Sequence, residues 1–220
     1  MTSARAPGQP ARRLGRPPSS VGDQTRLRIL DAARRCFGDR GYDGTTTREI
    51  AEQAGLTTAA IYHYYGSKAE LYRAAHAQVH LFVYERYDRA VLGHAGLADE
   101  FGAVLETSYE LNRQDPSLAR FLVTARTDQR RHPELELPRD HPPERSRFHD
   151  DLVQRAVARG EIAPCEALLV TDTLRTILGG IVYYSSDDLA QQLRVIEGIL
   201  RLLRGSFLDR ADAASTAPAR

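Results

Sequence analysis

Residues 45–72 read TTTREIAEQAGLTTAAIYHYYGSKAELY, and their punctuation decides the fold. Thr46 followed three residues later by Glu49 is a capping box, in which each side chain satisfies an orphan backbone donor at a helix start. The spacing predicts a helix from about Thr47 to Ala54, stopped by Gly55. After Leu56, Thr57 caps a very short helix that carries IYHYY, and Ser67 with Glu70 repeats the capping pattern to open a longer one. Two short helices joined by a glycine-containing turn form a helix-turn-helix, whose second helix is shaped for a major groove.

The same run crowds together Tyr62, Tyr64, Tyr65, Tyr72, His63 and Lys68, the only lysine of the chain. At about 100° per residue, Ile61 and Tyr65 share a direction with Leu56 and Ala54, while Thr58, Ala60, Tyr62 and Tyr64 spread over the remaining surface. A helix this short cannot bury three tyrosines on several faces, so some stand exposed. An exposed phenol has rigid reach and a hydroxyl that donates to a phosphate oxygen. Lys68, on the first turn of the next helix, offers a compact point charge beside a helix N-terminus, a favourable place for phosphate.

Upstream, TRLRILDAARRCFGDRGY places Leu30, Ala33 and Phe37 on one face with Ile29 and Cys36 at its flanks, a first amphipathic helix ending near Gly38 or Gly41. Before it, residues 1–22 are rich in Pro, Gly, Ser and Arg and poor in apolar side chains, which predicts a disordered tail. Its RRLGRPP segment resembles the Gly-Arg-Pro core of an AT-hook and makes Arg16 a minor-groove candidate; a merely solubilising tail is the equal alternative. The formal net charge of +1 hides an asymmetry. Residues 1–80 carry 12 Lys/Arg against 7 Asp/Glu, whereas residues 81–220 carry 18 against 22. A basic first third favours an anionic partner, nucleic acid before membrane.

Composition sets the outer limits. A chain of 220 residues with 42% hydrophobic residues can bury a sizeable core. No run approaches the roughly 18 apolar residues of a membrane span, and the amino terminus has no apolar signal region, so a cytoplasmic protein is expected. Cys36 and Cys165 lie far apart without metal-ligand spacing, and both read as small core residues.

The segment resembles the DNA-binding part of the TetR/AcrR family of bacterial one-component regulators, with the Thr-rich start and REIA of the second helix, AGL at the turn, IYHYY in the recognition helix and Ser-Lys-x-Glu-Leu opening the fourth. The likeness covers residues 25 to about 72. It implies Thr47, Thr57, Tyr62, Tyr64 and Lys68 at the phosphate backbone and Arg48, Thr58 and Ala60 at base edges, Arg48 being able to pair bidentately with guanine. Ala59 and Gly66 depart from the family pattern, which often has glycine at the first and a bulkier residue or proline at the second. The resemblance further implies a carboxy-terminal domain that binds a small-molecule effector and dimerises.

Beyond residue 72 the pattern stays helical, with Pro and Gly as punctuation and almost no strand alternation. An all-α chain of about nine helices is expected. Its divisions are a basic arm (1–22), a helix-turn-helix domain (23–70), an effector and dimerisation domain (71–209) and a tail (210–220). In the last helix Leu189, Leu193, Ile196, Leu200, Leu203 and Phe207 recur at spacings of 4, 3, 4, 3 and 4, a heptad-like seam widened by Val195, Ile199 and Leu202. Gly179 and Gly180 in the preceding helix would let another backbone approach. A homodimer through a four-helix interface fits both features, and closure of an intrachain bundle is the alternative.

Phe101, Leu105, Tyr109, Phe121, Leu122, Phe148 and Val153 are candidates to line an effector cavity, with Asn112 and His149 as polar groups that could orient a ligand or be satisfied in the core. His76 and His80 lack a third ligand, so no metal site is expected. No nucleophile–base pair, paired carboxylates or phosphate-cradling loop can be named, hence no catalytic residue and no cofactor. Two functions compete: a ligand-responsive repressor on double-stranded operator DNA, and an all-helical small-molecule-binding protein or enzyme without a DNA role.

Overall fold

The computed structural model describes residues 21–137, 147–185 and 187–205. Among the described residues there are nine α-helices and no strand: α1 (Val21–Arg40), α2 (Thr47–Ala54), α3 (Thr58–Tyr64), α4 (Lys68–Ala90), α5 (Leu97–Gln114), α6 (Pro116–Arg131), α7 (Phe148–Ala158), α8 (Ala167–Ser185) and α9 (Leu189–Leu203). Arg16 and residues 1–20 of the basic arm, Phe207 and the 210–220 tail lie outside the described residues, whereas residues 21 and 22, expected in the arm, open α1. No described helix is long and apolar enough to cross a membrane.

The local signals of the first segment become geometry. Thr46 accepts from the Glu49 N–H while Glu49 accepts from the Thr46 N–H, the complete capping box, and Gly55 closes α2 in the left-handed region at φ 65°. Thr57 accepts from the Ala60 N–H to start α3. At α4 the capping pattern is only half formed. Ser67 accepts from the Glu70 N–H, but the Glu70 carboxylate reaches back to the Gly66 N–H at 2.9 Å. A Cβ at Gly66 would stand 3.1 Å from that carboxylate oxygen, so the bare glycine makes room for this arrangement.

The first helix runs through Gly38 and ends at Gly41, whose φ is +71°. Gly38 serves packing, because a Cβ there would lie 3.3 Å from the Phe121 backbone nitrogen, so α6 presses on α1 at this point. Ile29, Ala33 and Phe37 are fully buried against it. α6 carries its own start signal, Pro116 at the first turn behind an Asp115 cap, and turns Leu118, Phe121 and Ala125 inward. Helices α4 and α5 complete this layer; α7, α8 and α9 pack around the far side of α5. The hydrophobic core is one cluster from Ile29 in α1 to Ile196 in α9.

Two expectations need correction. Cys36 is buried and donates its thiol to Gln53 Oε1 at 2.7 Å, but Cys165 is exposed in the short turn Pro164–Glu166 ahead of α8 and belongs to no core. The seam of α9 does not stay on one outer face either. Ile196 is 3% exposed and Leu200 packs partly into the core, because α9 has first to close its own chain against α5. Leu193 and Leu203 remain outside with Val195 and Leu202.

Candidate nucleic-acid interface

The residues singled out in the sequence converge from three helices. Thr47 at the start of α2 and Tyr62 of α3 share a hydrogen bond, 3.2 Å between hydroxyl oxygens, and Tyr62 stays half-exposed. Tyr64 is partly buried and its ring meets His63 edge-on. Tyr65 turns inward beside Ile61, as the helical period predicts, and its hydroxyl is buried without a hydrogen-bond partner. That burial raises its pKa. Thr57 is exposed; since its oxygen accepts the Ala60 N–H, the hydroxyl proton remains a donor. Thr58 and Ala60 lie on the same short helix, each partly exposed.

Arg48 has 82% of its side chain exposed and pairs with Glu52 one turn on, Nε to Oε1 3.0 Å. An exposed i,i+4 pair of this kind is worth only a few tenths of a kcal/mol, so the guanidinium can leave it. Lys68 is placed differently from the free cation expected of a phosphate contact. Its ammonium donates to the carbonyl oxygens of Tyr42 (2.8 Å) and Thr45 (3.1 Å) and lies 4.2 Å from the centre of the Tyr42 ring. The one lysine therefore ties the start of α4 to the loop that leads into α2. Its charge sits next to the Thr46–Glu49 cap, where hydrogen bonds from Thr46 hold the Glu49 carboxyl below the ordinary range.

Behind this surface lie residues that the sequence reading passed over. Arg34 is 5% exposed and bridges Asp115 (2.9 Å), Asp31 and Ser117, joining α1 to α6. Asp128 is also 5% exposed; its Oδ2 accepts from the Tyr42 N–H and the Tyr72 hydroxyl, both at 2.8 Å. Burial, then the neighbouring carboxylate, pushes the Tyr72 pKa up. Arg120–Asp39 (2.6 Å) and Thr124 to the Gly38 carbonyl (3.1 Å) continue the same seam. It ends at His132, which bridges Asp43 and Glu134 at 2.9 Å each and whose pKa is raised chiefly by Asp43. Helical period was a usable signal. Arg34 falls between Leu30 and Phe37, and Asp128 continues the series Leu118, Phe121, Ala125, so both occupy apolar-face positions.

The cavity candidates are all core residues except Tyr109 and Leu122, which are partly buried. Phe121 packs with Phe37 and Tyr72, whereas Phe148 and His149 pack with Tyr84, and His76 and His80 bridge the two groups. The His76 and His80 Nε2 atoms are 3.1 Å apart, and no group of three metal-ligating side chains occurs among the described residues. Asn112 donates to Gln192 Oε1 at 2.9 Å, a buried link from α5 to α9. Of the dimer candidates, Gly179 and Gly180 face open space, with nothing within 4 Å of an added Cβ. Leu189 is partly buried.

Comparison with known proteins bears on this arrangement. Residues 29–75 match the family described as bacterial regulatory proteins, tetR family. The HTH-type transcriptional repressor AcnR of Corynebacterium efficiens is 44% identical over 50 residues, 23% of this chain and 27% of that protein. The HTH-type transcriptional regulator TtgR of Pseudomonas putida is 46% identical over 57 residues, 26% of this chain and 27% of that one. The matched segments thus span about a quarter of these relatives' length. Across the whole fold, the transcriptional regulator FadR from Bacillus subtilis, solved in complex with stearoyl-CoA, superposes with a TM-score of 0.62. That superposition covers 79% of this chain and 97% of FadR, at 19% identity. Residues 29–75 thus match the tetR family of bacterial regulatory proteins, and the helical body behind them shares its fold with FadR.

Proposed function

We propose that the chain is a sequence-specific DNA-binding transcriptional regulator, a homodimeric cytoplasmic repressor that leaves double-stranded operator DNA when a small, largely apolar effector binds. Residues 23–70 form its DNA-reading unit and 71–209 its effector and dimerisation unit. The observation that carries the reading is the hydrogen bond between Thr47 of α2 and the half-exposed Tyr62 of α3, next in the chain to an Arg48 whose side chain is 82% exposed. Thr47, Thr57, Tyr62, Tyr64 and Lys68 serve the phosphates, and Arg48, Thr58 and Ala60 the base edges. AcnR is named a repressor and FadR was solved with an acyl-CoA, which supports both halves of the reading. Dimerisation is supported by exposed Leu193, Leu202 and Leu203 on α9 and Leu168 and Leu169 on α8, beside two glycines open to an approaching backbone. An effector acts only through a difference in affinity between DNA-competent and DNA-incompetent states.

Fluorescence anisotropy on the protein's own upstream intergenic DNA, against a scrambled duplex over a salt series, tests this. Native DNA is expected to bind tighter and to survive salt better. Arg48→Ala should lose discrimination of about 1–3 kcal/mol at one or two base pairs. Lys68→Ala should weaken binding to every sequence and flatten the salt slope by about 1. Equal, steeply salt-sensitive binding of both duplexes by the wild type would sink the specific-reader assignment.

A further inference from the structure

His132 ends α6 with both ring nitrogens engaged. Its Nδ1 lies 2.9 Å from Glu134 Oε1 in the short turn Pro133–Leu135, and its Nε2 lies 2.9 Å from Asp43 Oδ2 in the α1–α2 loop. A neutral imidazole has one N–H and one bare lone pair. It can serve one of these carboxylates and must set its lone pair against the other. Only the imidazolium donates to both, so the arrangement is that of a cation. The Glu134 contact is local, two residues along the chain; the Asp43 contact crosses from the end of α6 to the loop that leads into α2.

That loop moves as a block. A Cβ at Gly44 would stand 2.4 Å from the Arg40 carbonyl oxygen, and the hydroxyl of the buried Thr45 lies 3.0 and 2.8 Å from the carbonyl oxygens of Cys36 and Gly41. Asp43 precedes Thr46, whose cap sets the start of α2 and with it the place of Thr47 and Arg48. A hold on Asp43 is therefore a hold on the DNA-facing end of α2. We propose that His132, as a cation, is a positioning residue for DNA reading: its bond to Asp43 fixes the α1–α2 loop against α6, and loss of its proton weakens that hold. This role rests on the regulator reading given above; the proton-held bond itself does not.

The groups around the ring favour the charged form. Asp43 first and Glu134 second hold the His132 pKa above its ordinary value. From the loop, the Tyr42 ring packs 5.1 Å from the imidazole. From α4 come two cations, Lys68 bound to the loop carbonyls and Arg73 acting on Tyr42. From α6, the Asp128 carbonyl accepts the His132 backbone N–H at 2.8 Å, while its carboxylate is taken by Tyr42 and Tyr72. A raised pKa gives a contribution that is complete below about pH 6.5 and is lost as the pH rises through the raised value. The sign is opposite to that of the buried His76 and His149, whose pKa values are lowered.

In the full chain without DNA, NMR titration of the His132 ring should give a midpoint above those of His63 and His94, both exposed, and Asp43→Asn should bring it down toward theirs. Anisotropy on the upstream intergenic duplex and its scramble, at about pH 6 and about pH 8 and constant ionic strength, reads the consequence. His63→Gln is the background, because that imidazole sits on α3 itself. Preference for native over scrambled DNA should fall about threefold between the two pH values, the size of an exposed ion pair. His132→Gln and Asp43→Asn should each show the lower preference at both, with wild-type far-UV circular dichroism. A His132 midpoint no higher than the other two, a wild-type preference for native DNA that does not change with pH, or a preference that stays pH-dependent in both variants would each overturn the proposal. If His132 titrates as described but neither duplex is preferred at either pH, the regulator reading falls and the proton-held bond stands.

Discussion

Asp128→Ala tests whether the seam between α1 and α6 is held by its polar links or by its apolar packing. One carboxylate oxygen takes two donors, the Tyr42 N–H and the Tyr72 hydroxyl, each at 2.8 Å. Tyr72 is 0% exposed, so its hydroxyl cannot turn to water when the acceptor goes. Leaving a buried donor unsatisfied costs about 1–3 kcal/mol. The buried Tyr72 hydroxyl and the half-buried Tyr42 N–H together put the loss at about 2–4 kcal/mol, a large part of the roughly 5–15 kcal/mol of a typical domain, and the midpoint of thermal unfolding should fall by about 5–15 °C. Asp128→Asn keeps an oxygen able to stand where Oδ2 stands and loses only the charge assistance, about 1 kcal/mol. In Asp128→Ala/Tyr72→Phe the orphaned hydroxyl is gone, so the double variant should be more stable than the sum of the singles implies by about 1 kcal/mol. Urea unfolding followed by far-UV circular dichroism measures all five chains, the wild type and the Tyr72→Phe single variant included. Equal costs for Ala and Asn, or strict additivity in the cycle, would refute the hydrogen-bonded hub and leave packing as the explanation.

Acid should act through buried imidazoles. Burial, and secondarily His80, pushes His76 down to about 3, and burial, then Arg175, pushes His149 down to about 4. The unfolded chain therefore takes up protons first. Stability is complete above about pH 6.5 and falls as the pH drops toward those values, and His149→Gln should remove about one proton, about 1.4 kcal/mol per pH unit, from the slope between pH 6 and 4. An unchanged slope would mean that His149 is not a titrating group of unfolding. At the proposed dimer surface, Gly179→Val meets nothing within 4 Å in the protomer, so helical content should persist while an overpacked interface raises the dissociation constant by at least about tenfold. Sedimentation velocity reads this directly, and a variant as dimeric as the wild type would take α8 out of the interface.

The parts of the fold that were legible in the sequence are those whose determinants lie within one helical turn. Thr46 and Glu49 are three residues apart, and they start α2 at the residue their spacing names; Gly55 stops it by a backbone conformation that glycine alone adopts cheaply. Tyr65 was separated from Tyr62 by period alone, and the structure buries the first and exposes the second. What period could not supply was partner identity. α1 and α6 are more than 80 residues apart in the chain, and nothing local to Arg34 says that Asp115 and Ser117 will meet it. The partners of Lys68 were hidden for a related reason. Its position on the first turn of α4 suggested an outward charge, but a long flexible stem lets the ammonium fold back onto two carbonyls that belong to another loop. In α9 the heptad-like spacing was real, yet a helix that must first cover its own core spends part of any such seam inside.

Tyr42 shows how these non-local links combine. Its carbonyl accepts from Lys68 and its ring lies under the same ammonium; its N–H goes to Asp128; its ring meets Tyr72 edge-on at 5.4 Å and His132 at 5.1 Å. One residue of the α1–α2 loop therefore touches the first two turns of α4 and the end of α6. Close-packed interiors do not deform smoothly, so a shift of α6 along α1 cannot be spread thinly over this loop. Either Asp128 keeps its hold on the Tyr42 N–H and the loop moves with α6, dragging the carbonyls that Lys68 grips, or the bond breaks and leaves a half-buried donor unsatisfied. In the first case the start of α4 and the cap of α2 are displaced together, and these are the elements that carry Lys68 and Thr47. One mechanical path from the helical body to the proposed DNA surface is thus three residues long, Asp128 to Tyr42 to Lys68. It runs through hydrogen bonds whose geometry tolerates little stretching before they weaken.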